Sequence, residues 1–293
     1  MARLVEIKKG SRPQSLKERL KGILTPKEFE YLVSSFDSLG NVAIIEIPDE
    51  LVKKEKKIGQ ALLETNPRFE TIAKKAGAHK GRFRAEPLKV IAGKKRLLAT
   101  YRESGCVFQI HLGKVFFSPR LGTERLRISK LIQAGETIGT LFAGVGPFPI
   151  VFAKNSLMKK AVAIELNPIA VKDMEFNIAA NKVGEKVVPV LGDVNRIVPK
   201  KFKGAFDRIT MPMPRGSEDF LDAALFGANP AGCVIHFYAF APASDPFSAL
   251  EKLITKKAKE HGFSVVFLEK KKVRSFSKEI LQAVIDFSVK AQK

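Results

Sequence analysis

The rhythm of apolar positions changes near residue 114 of the 293-residue chain. Before it, short apolar runs at residues 42–47, 88–91, 97–101 and 106–112 read as strands. Residues 48–63 carry apolar positions at helical spacing with lysines on the other face, and residues 15–22 read as a short amphipathic helix ended by Gly22. The prediction is a short basic N-terminal extension over residues 1–30 and a small α+β domain over residues 31–113. After it, apolar runs at 137–142, 161–165, 187–193, 205–211 and 232–240 alternate with helical patterns, including one from Asn167-Pro168 to about Asn181 and one over 245–261. Runs at 264–268 and 281–287 close the chain. Such alternation predicts a parallel, doubly wound α/β sheet over residues 114–293, with ligands at the carboxyl ends of the strands.

The join, residues 114–127, reads as a strand, a Ser118-Pro119 turn and a helix. Arg120, Glu124 and Arg127 fall near one another at i, i+4 and i+7. Surface ion pairing alone would account for that spacing.

Composition narrows the class. There is no run of about 18 apolar residues and no charged-then-apolar leader, so the expectation is a soluble, cytoplasmic protein without a membrane span. Cys106 and Cys233 lie far apart in apolar stretches and read as buried free thiols. His79, His111, His236 and His261 lack ligand spacing, so no metal site is expected. The net charge of +21 points to a polyanionic partner, and +14 of it falls in residues 1–135. Within that half, Lys74-Lys75 and the stretch Lys80-Gly-Arg82-Phe-Arg84 read as basic loops, whether as a nucleic-acid surface or as solvated charge.

The chemistry begins at Phe142-Ala-Gly144-Val-Gly146-Pro-Phe148, where a strand passes through a glycine turn into a helix N-terminus. An acid closes the second strand (Glu165) and another the third (Asp193). Glu165 is placed to accept from two ribose hydroxyls and Asp193 to face an adenine amine. A dinucleotide site would also place an acid after its second strand, but it usually continues Gly-x-Gly-x-x-Gly, and position 149 is proline. S-adenosyl-L-methionine has no pyrophosphate to cradle and tolerates that departure. The rigid Met211-Pro212-Met213-Pro214 segment after the fourth strand also suits a methyltransferase.

These residues, with Phe116-Phe-Ser-Pro-Arg120-Leu-Gly-Thr-Glu124-Arg125, Glu165-Leu-Asn167-Pro168, Asn177 to Asn181-Lys-Val183, Asp207-Arg-Ile to Pro214, and Gly232-Cys-Val-Ile-His-Phe-Tyr238, resemble the archaeal and eukaryotic tRNA (guanine-N1)-methyltransferases that modify guanosine 37. The resemblance covers residues 36–290. The related aminocarboxypropyl transferase of wybutosine synthesis shares much of the framework and is the alternative enzyme. An RNA-binding protein with a vestigial cofactor pocket is the alternative outside catalysis.

The resemblance implies a class I, Rossmann-like methyltransferase fold with a mostly parallel seven-stranded sheet, preceded by a small tRNA-contacting domain, and a monomer acting on the anticodon arm. It implies Glu124 as general base, Arg120 as an active-site arginine and Arg84 as the cation near guanine O6, with Arg82 the other candidate for that role. The implied cofactor set is Phe142, Gly144, Gly146, Phe148, Glu165, Asn167, Asp193, Met211 and Pro212. The implied substrate set is Phe116, Lys80, Arg82, Pro214 and Arg215. The chain departs from the family at three places. Gly139-Thr140 stands where an aspartate is frequent, Pro212 where many members have asparagine, and few residues precede Phe36, which predicts a grip mainly on the anticodon arm.

Overall fold

The computed structural model describes residues 14–77, 83 and 85–292. Two capping boxes start the chain. Ser15 and Glu18 cap α1 (Leu16–Leu20), and Thr25 and Glu28 cap α2 (Pro26–Glu30). Leu16, Leu20 and Leu24 are buried against Ile58 and Leu62 of α3 (Glu55–Thr65) and against Ile45 and Ile72 of a four-stranded sheet. That sheet runs β1 (Phe36–Leu39), β2 (Val42–Ile45), β3 (Thr71–Lys75), β4 (Leu88–Gly93). Residues 16–30 therefore belong to the N-terminal domain's core rather than to an extension.

Lys74 and Lys75, expected in a basic loop, lie in β3. Lys74 pairs with the buried Glu55 at 2.5 Å and Lys75 with Glu46 at 2.7 Å. A strand made of Thr-Ile-Ala-Lys-Lys has too few apolar positions to announce itself. Its lysines are drawn into register by acids on other elements.

The domain boundary also moves. The hairpin of β5 (Leu98–Glu103) and β6 (Cys106–His111) buries Ala99, Cys106, Phe108 and Ile110 in the same cluster as Ile128, Phe148 and Ile150 of the C-terminal domain. Its unpaired strand edge is closed by a helix. On α6 (Pro168–Ala180), Asp173 and Asn177, with Asn181 just beyond, lie four residues apart. They meet β6 at every second residue: Asp173 Oδ2 accepts from His111 N at 2.9 Å, Asn177 Oδ1 from Gln109 N at 2.7 Å and Asn181 Oδ1 from Val107 N at 2.9 Å. Four helical residues rise about 6 Å and two strand residues about 6.6 Å, so the two ladders keep step.

The large sheet has seven strands in the order β12-β13-β11-β10-β7-β8-β9. They are β7 (Thr137–Leu141), β8 (Lys160–Glu165), β9 (Val187–Leu191), β10 (Arg208–Met211), β11 (Cys233–Pro242), β12 (Phe263–Ser275) and β13 (Ile280–Ala291). β9, β8, β7, β10 and β11 are mutually parallel, and β13 is inserted antiparallel between β11 and β12. The class I methyltransferase arrangement expected from the sequence is thus present. The order reverses between β7 and β10, which places a crevice at their carboxyl ends.

Lys114–Phe117, expected as a strand, instead forms a turn and an irregular segment, followed by a 3-10 turn (Pro119–Leu121) and α4 (Gly122–Leu131). Cys106 and Cys233 are buried free thiols, and among the described residues no group of His, Cys, Asp and Glu could hold a metal ion. Nor is any described helix long and apolar enough to cross a membrane.

Candidate active site

At the end of β7 the backbone turns sharply. Phe142 has φ +58, Gly144 φ +57, and Gly146 φ +86 as the N-cap of α5 (Pro147–Asn155). Positive φ on a phenylalanine is strained backbone, held here by the ring's edge-on contact with Phe220 at 4.7 Å. A Cβ at Gly146 would lie 2.9 Å from Met174 Cγ, so the turn needs glycine there for space as well as for dihedral angle.

Glu165, at the end of β8, clamps this turn. Its Oε2 accepts from Gly144 N and its Oε1 from Asn167 N, both at 2.8 Å. Each oxygen keeps a lone pair for a ribose hydroxyl. Asn167 is buried, caps α6 and donates to the Lys114 carbonyl at 2.9 Å, which draws the irregular 114–118 segment across the turn. Asp193 sits at the end of β9 as the N-cap of α7 (Val194–Lys201). The turn, Glu165 and Asp193 therefore line up at adjacent strand ends, as a nucleoside requires, and these residues fit S-adenosyl-L-methionine.

Two predicted cofactor positions take different places. Phe148 is buried against Phe152 and Tyr238, with the Arg125 guanidinium 5.5 Å from its ring, and is a core residue behind the turn. Met211 is fully buried in the core on the other face of the sheet, which leaves its backbone as the part that can face a ligand. Pro212 and Pro214 remain half-buried at the crevice, where the Pro214 carbonyl accepts from Phe240 N at 3.0 Å. Gly139 explains one departure from the family, since a side chain there would meet the Phe206 ring at 2.7 Å.

Glu124 is no surface residue: it is 3% exposed. Its Oε2 accepts from Arg127 Nη2 at 2.9 Å, Arg127 Nε at 3.0 Å and the Tyr238 hydroxyl at 2.9 Å. Its Oε1 has only longer contacts, 3.2 Å to Arg127 Nε and 3.4 Å to Lys271 Nζ. Burial pushes the carboxyl up, but Arg127, then Tyr238 and Lys271, outweigh it and hold the carboxyl below the ordinary glutamate range. Burial and Glu124's charge raise the Tyr238 phenol well above its usual range, so it stays a donor.

Arg127 in turn reaches Asp286 at 2.7 Å and Glu269 at 2.9 Å. Asp286 Oδ1 lies 2.7 Å from His236 Nδ1, and His236 Nε2 lies 2.8 Å from Arg208 Nη1. An arginine facing Nε2 makes that nitrogen the acceptor, so the proton sits on Nδ1. Burial lowers the His236 pKa, outweighing Asp286, and the imidazole is neutral.

Arg120 departs from its predicted setting. It does not join Glu124 but extends into solvent, 3.7 Å from Asp37 of β1. The helical spacing misleads because residues 119–121 form a 3-10 turn, so Arg120 precedes α4 and its side chain leaves in another direction. Arg125 does what the spacing could not show. It is buried, forms a bidentate pair with Glu103 at 2.5 and 2.7 Å, and donates to the Ser118 carbonyl at 3.3 Å, fixing the loop that carries Arg120. Phe116 is half exposed over the glycine turn, its carbonyl 3.7 Å from a Cβ built at Gly144, and Arg215 is exposed beyond Pro214. Lys80, Arg82 and Arg84 lie outside the described residues.

Sequence reasoning missed Lys271, Arg127's partner Asp286, and the Tyr238 contact to Glu124. These are joined across more than a hundred residues, and only the order β11-β13-β12 brings them under α4.

Residues 99–266 match the TRM5/TYW2 methyltransferase domain, and residues 16–96 match the TYW2 N-terminal domain. The tRNA (guanine(37)-N(1))-methyltransferase Trm5b of Pyrococcus abyssi is 39% identical over 279 residues, spanning 95% of this chain and 81% of that protein. The solved complex of aTrm5 and tRNALeu superposes with a TM-score of 0.80 at 32% identity, covering 98% of this chain and 82% of that one. TYW2 of P. horikoshii in complex with MeSAdo superposes with a TM-score of 0.82 over 94% of this chain and 98% of that one, but at 22% identity that likeness speaks for the fold alone.

Proposed function

Because the chain belongs to the TRM5/TYW2 methyltransferase family, we propose that it transfers a methyl group from S-adenosyl-L-methionine to N1 of guanosine 37 in the tRNA anticodon loop, with Glu124 as general base. Identity supports the methyltransferase branch over the aminocarboxypropyl branch, since the 39% relative is a guanine-N1 enzyme, whereas the solved TYW2 structure is 22% identical and the match to the TYW2 N-terminal domain is confined to residues 16–96. The single observation that carries the chemical reading is the buried Glu124 carboxylate, kept ionised by Arg127, Tyr238 and Lys271.

Bound S-adenosyl-L-methionine supplies an electrophilic sulfonium methyl. The turn at residues 142–146, Glu165 and Asp193 hold the nucleoside part at the ends of β7, β8 and β9. N1 of neutral guanine carries a proton that must leave as N1 attacks, and the negative charge then spreads to O6. Oε1 of Glu124 is the acceptor: Oε2 is filled by three donors within 3.0 Å, whereas Oε1 faces the half-exposed Lys271, whose ammonium occupies the approach that the N1–H needs. Lys271 swings aside as the base enters and stays nearby as a cation for the developing charge. Arg120 and Arg215, exposed at the rim, take phosphates of the loop.

The decisive experiment is Glu124→Gln under single turnover with unmodified tRNA transcript. Methyl transfer slows by about 10²–10⁴-fold while S-adenosyl-L-methionine and tRNA affinities stay within a few fold. Wild-type turnover in that variant would remove Glu124 from the mechanism.

A further inference from the structure

Beyond Glu124 the same sheet face carries groups with no part in the mechanism so far. The register of β11 and β13 sets Asp286 opposite His236, Val284 opposite Tyr238 and Gln282 opposite Phe240. On β12, Lys271 faces Val284 and Arg274 faces Gln282. One strand step past Tyr238, toward the carboxyl end of β11, lie Phe240, Gln282 and Arg274 on the face that bears Glu124.

Gln282 is fully buried, and its Oε1 accepts from Arg274 Nε at 2.8 Å. That bond fixes the amide orientation and turns Nε2 away from Arg274, where it has no hydrogen-bond partner among the described residues. Phe240, whose N–H holds the Pro214 carbonyl, meets the ring of Phe276 at 4.8 Å and 49°. Phe276 lies at the tip of the β12–β13 hairpin and is 55% exposed, while its N–H donates to the Ile280 carbonyl at 2.9 Å, so the ring is presented by an ordered turn. Burial, with the charge of Arg120, holds the Arg274 pKa below its usual range.

We propose that this hairpin tip is a nucleotide-docking platform, on which an unpaired base of the anticodon loop stacks against Phe276 while Arg274 takes its phosphate. The inference rests on the reading of tRNA as substrate given above. An exposed aromatic ring backed by a second ring, beside a guanidinium group, is the combination by which proteins hold single-stranded nucleotides. A +21 chain favours a polyanion over an acid-poor protein surface.

The test uses the full chain and unmodified tRNA transcript, with KM for tRNA, tRNA binding without turnover, and S-adenosyl-L-methionine binding measured side by side. Phe276→Ala weakens tRNA binding about tenfold and keeps cofactor affinity, and Phe276→Trp restores the tRNA affinity. Arg274→Gln also weakens tRNA binding and lowers the slope of log affinity against log salt by about one, whereas Phe276→Ala leaves that slope unchanged. Unchanged tRNA affinity in Phe276→Ala, or an equal loss of cofactor affinity, would overturn the platform. Because binding is read without turnover, a wild-type protein that makes no 1-methylguanosine would count against the functional reading, and the platform would still be decided.

Discussion

The Glu124 carboxylate decides the residue-scale behaviour. Its folded pKa lies below the ordinary range because Arg127, Tyr238 and Lys271 outweigh its burial. Removing the phenolic donor with Tyr238→Phe takes away one of those contributions, so the Glu124 pKa rises. The acid limb of the pH profile for single-turnover methyl transfer then moves to higher pH, and a limb at the wild-type position would show that Tyr238 does not act through Glu124. His236 makes no limb near neutral pH, because burial keeps it neutral there.

The same shifts set acid stability. Burial of Asp286 is outweighed by His236 and Arg127, so it too is held below the ordinary range. Depressed carboxyl pKa values add stability that is fully present above the unfolded value, about pH 4, and is lost as pH falls through the lower folded values. The denaturant midpoint should be nearly flat from about pH 7 to pH 5 and drop below about pH 4. Replacing Arg127 with Met strands two buried carboxylates and should cost about 3–5 kcal/mol at neutral pH by denaturant titration.

At the scale of elements, the ladder from α6 to β6 explains why several residues of the family pattern carry no chemistry. Asn177 donates to the carbonyls of both Gln109 and Val145 at 3.0 Å, so the helix joins the β5–β6 hairpin to the glycine turn. Asn177→Ala leaves those carbonyls and the Gln109 N–H without their partner and should cost about 3 kcal/mol of unfolding free energy, with a weaker cofactor affinity because Val145 lies in the turn. Chemical denaturation and calorimetry check the two parts.

Strongly periodic elements were legible from residues alone: β7, β8, the glycine turn, α6, and the helix over α3 all lie where apolar spacing puts them. What was hidden depended on partners distant in the chain. β3 is polar and held by ion pairs, the 3-10 turn redirects Arg120, and β12 extends through Lys270-Lys-Lys272, where lysines on an edge strand mask the strand pattern.

For the whole molecule, the two family matches meet at residues 96–99, and the β5–β6 hairpin that follows packs into the cluster shared with α4 and α5. Arg125 and Glu103 bind the first hairpin of the C-terminal domain to α4, and Arg120 reaches across to Asp37. The surplus of charge belongs to this scale as well. Binding of tRNA should weaken steeply with salt, with log affinity linear in log salt concentration, and Lys74, locked onto Glu55, should contribute nothing to that slope when replaced by Gln. The basic character of the N-terminal half was legible, but not which of its lysines are already paired.

The most direct measurement is nucleoside identification after incubating the protein and S-adenosyl-L-methionine with unmodified tRNA transcripts that carry guanosine or adenosine at position 37. Methylation of guanosine 37 yields 1-methylguanosine from the guanosine transcript and no methylated nucleoside from the adenosine one. An aminocarboxypropyl adduct without 1-methylguanosine, or methylation that does not depend on guanosine 37, would contradict it.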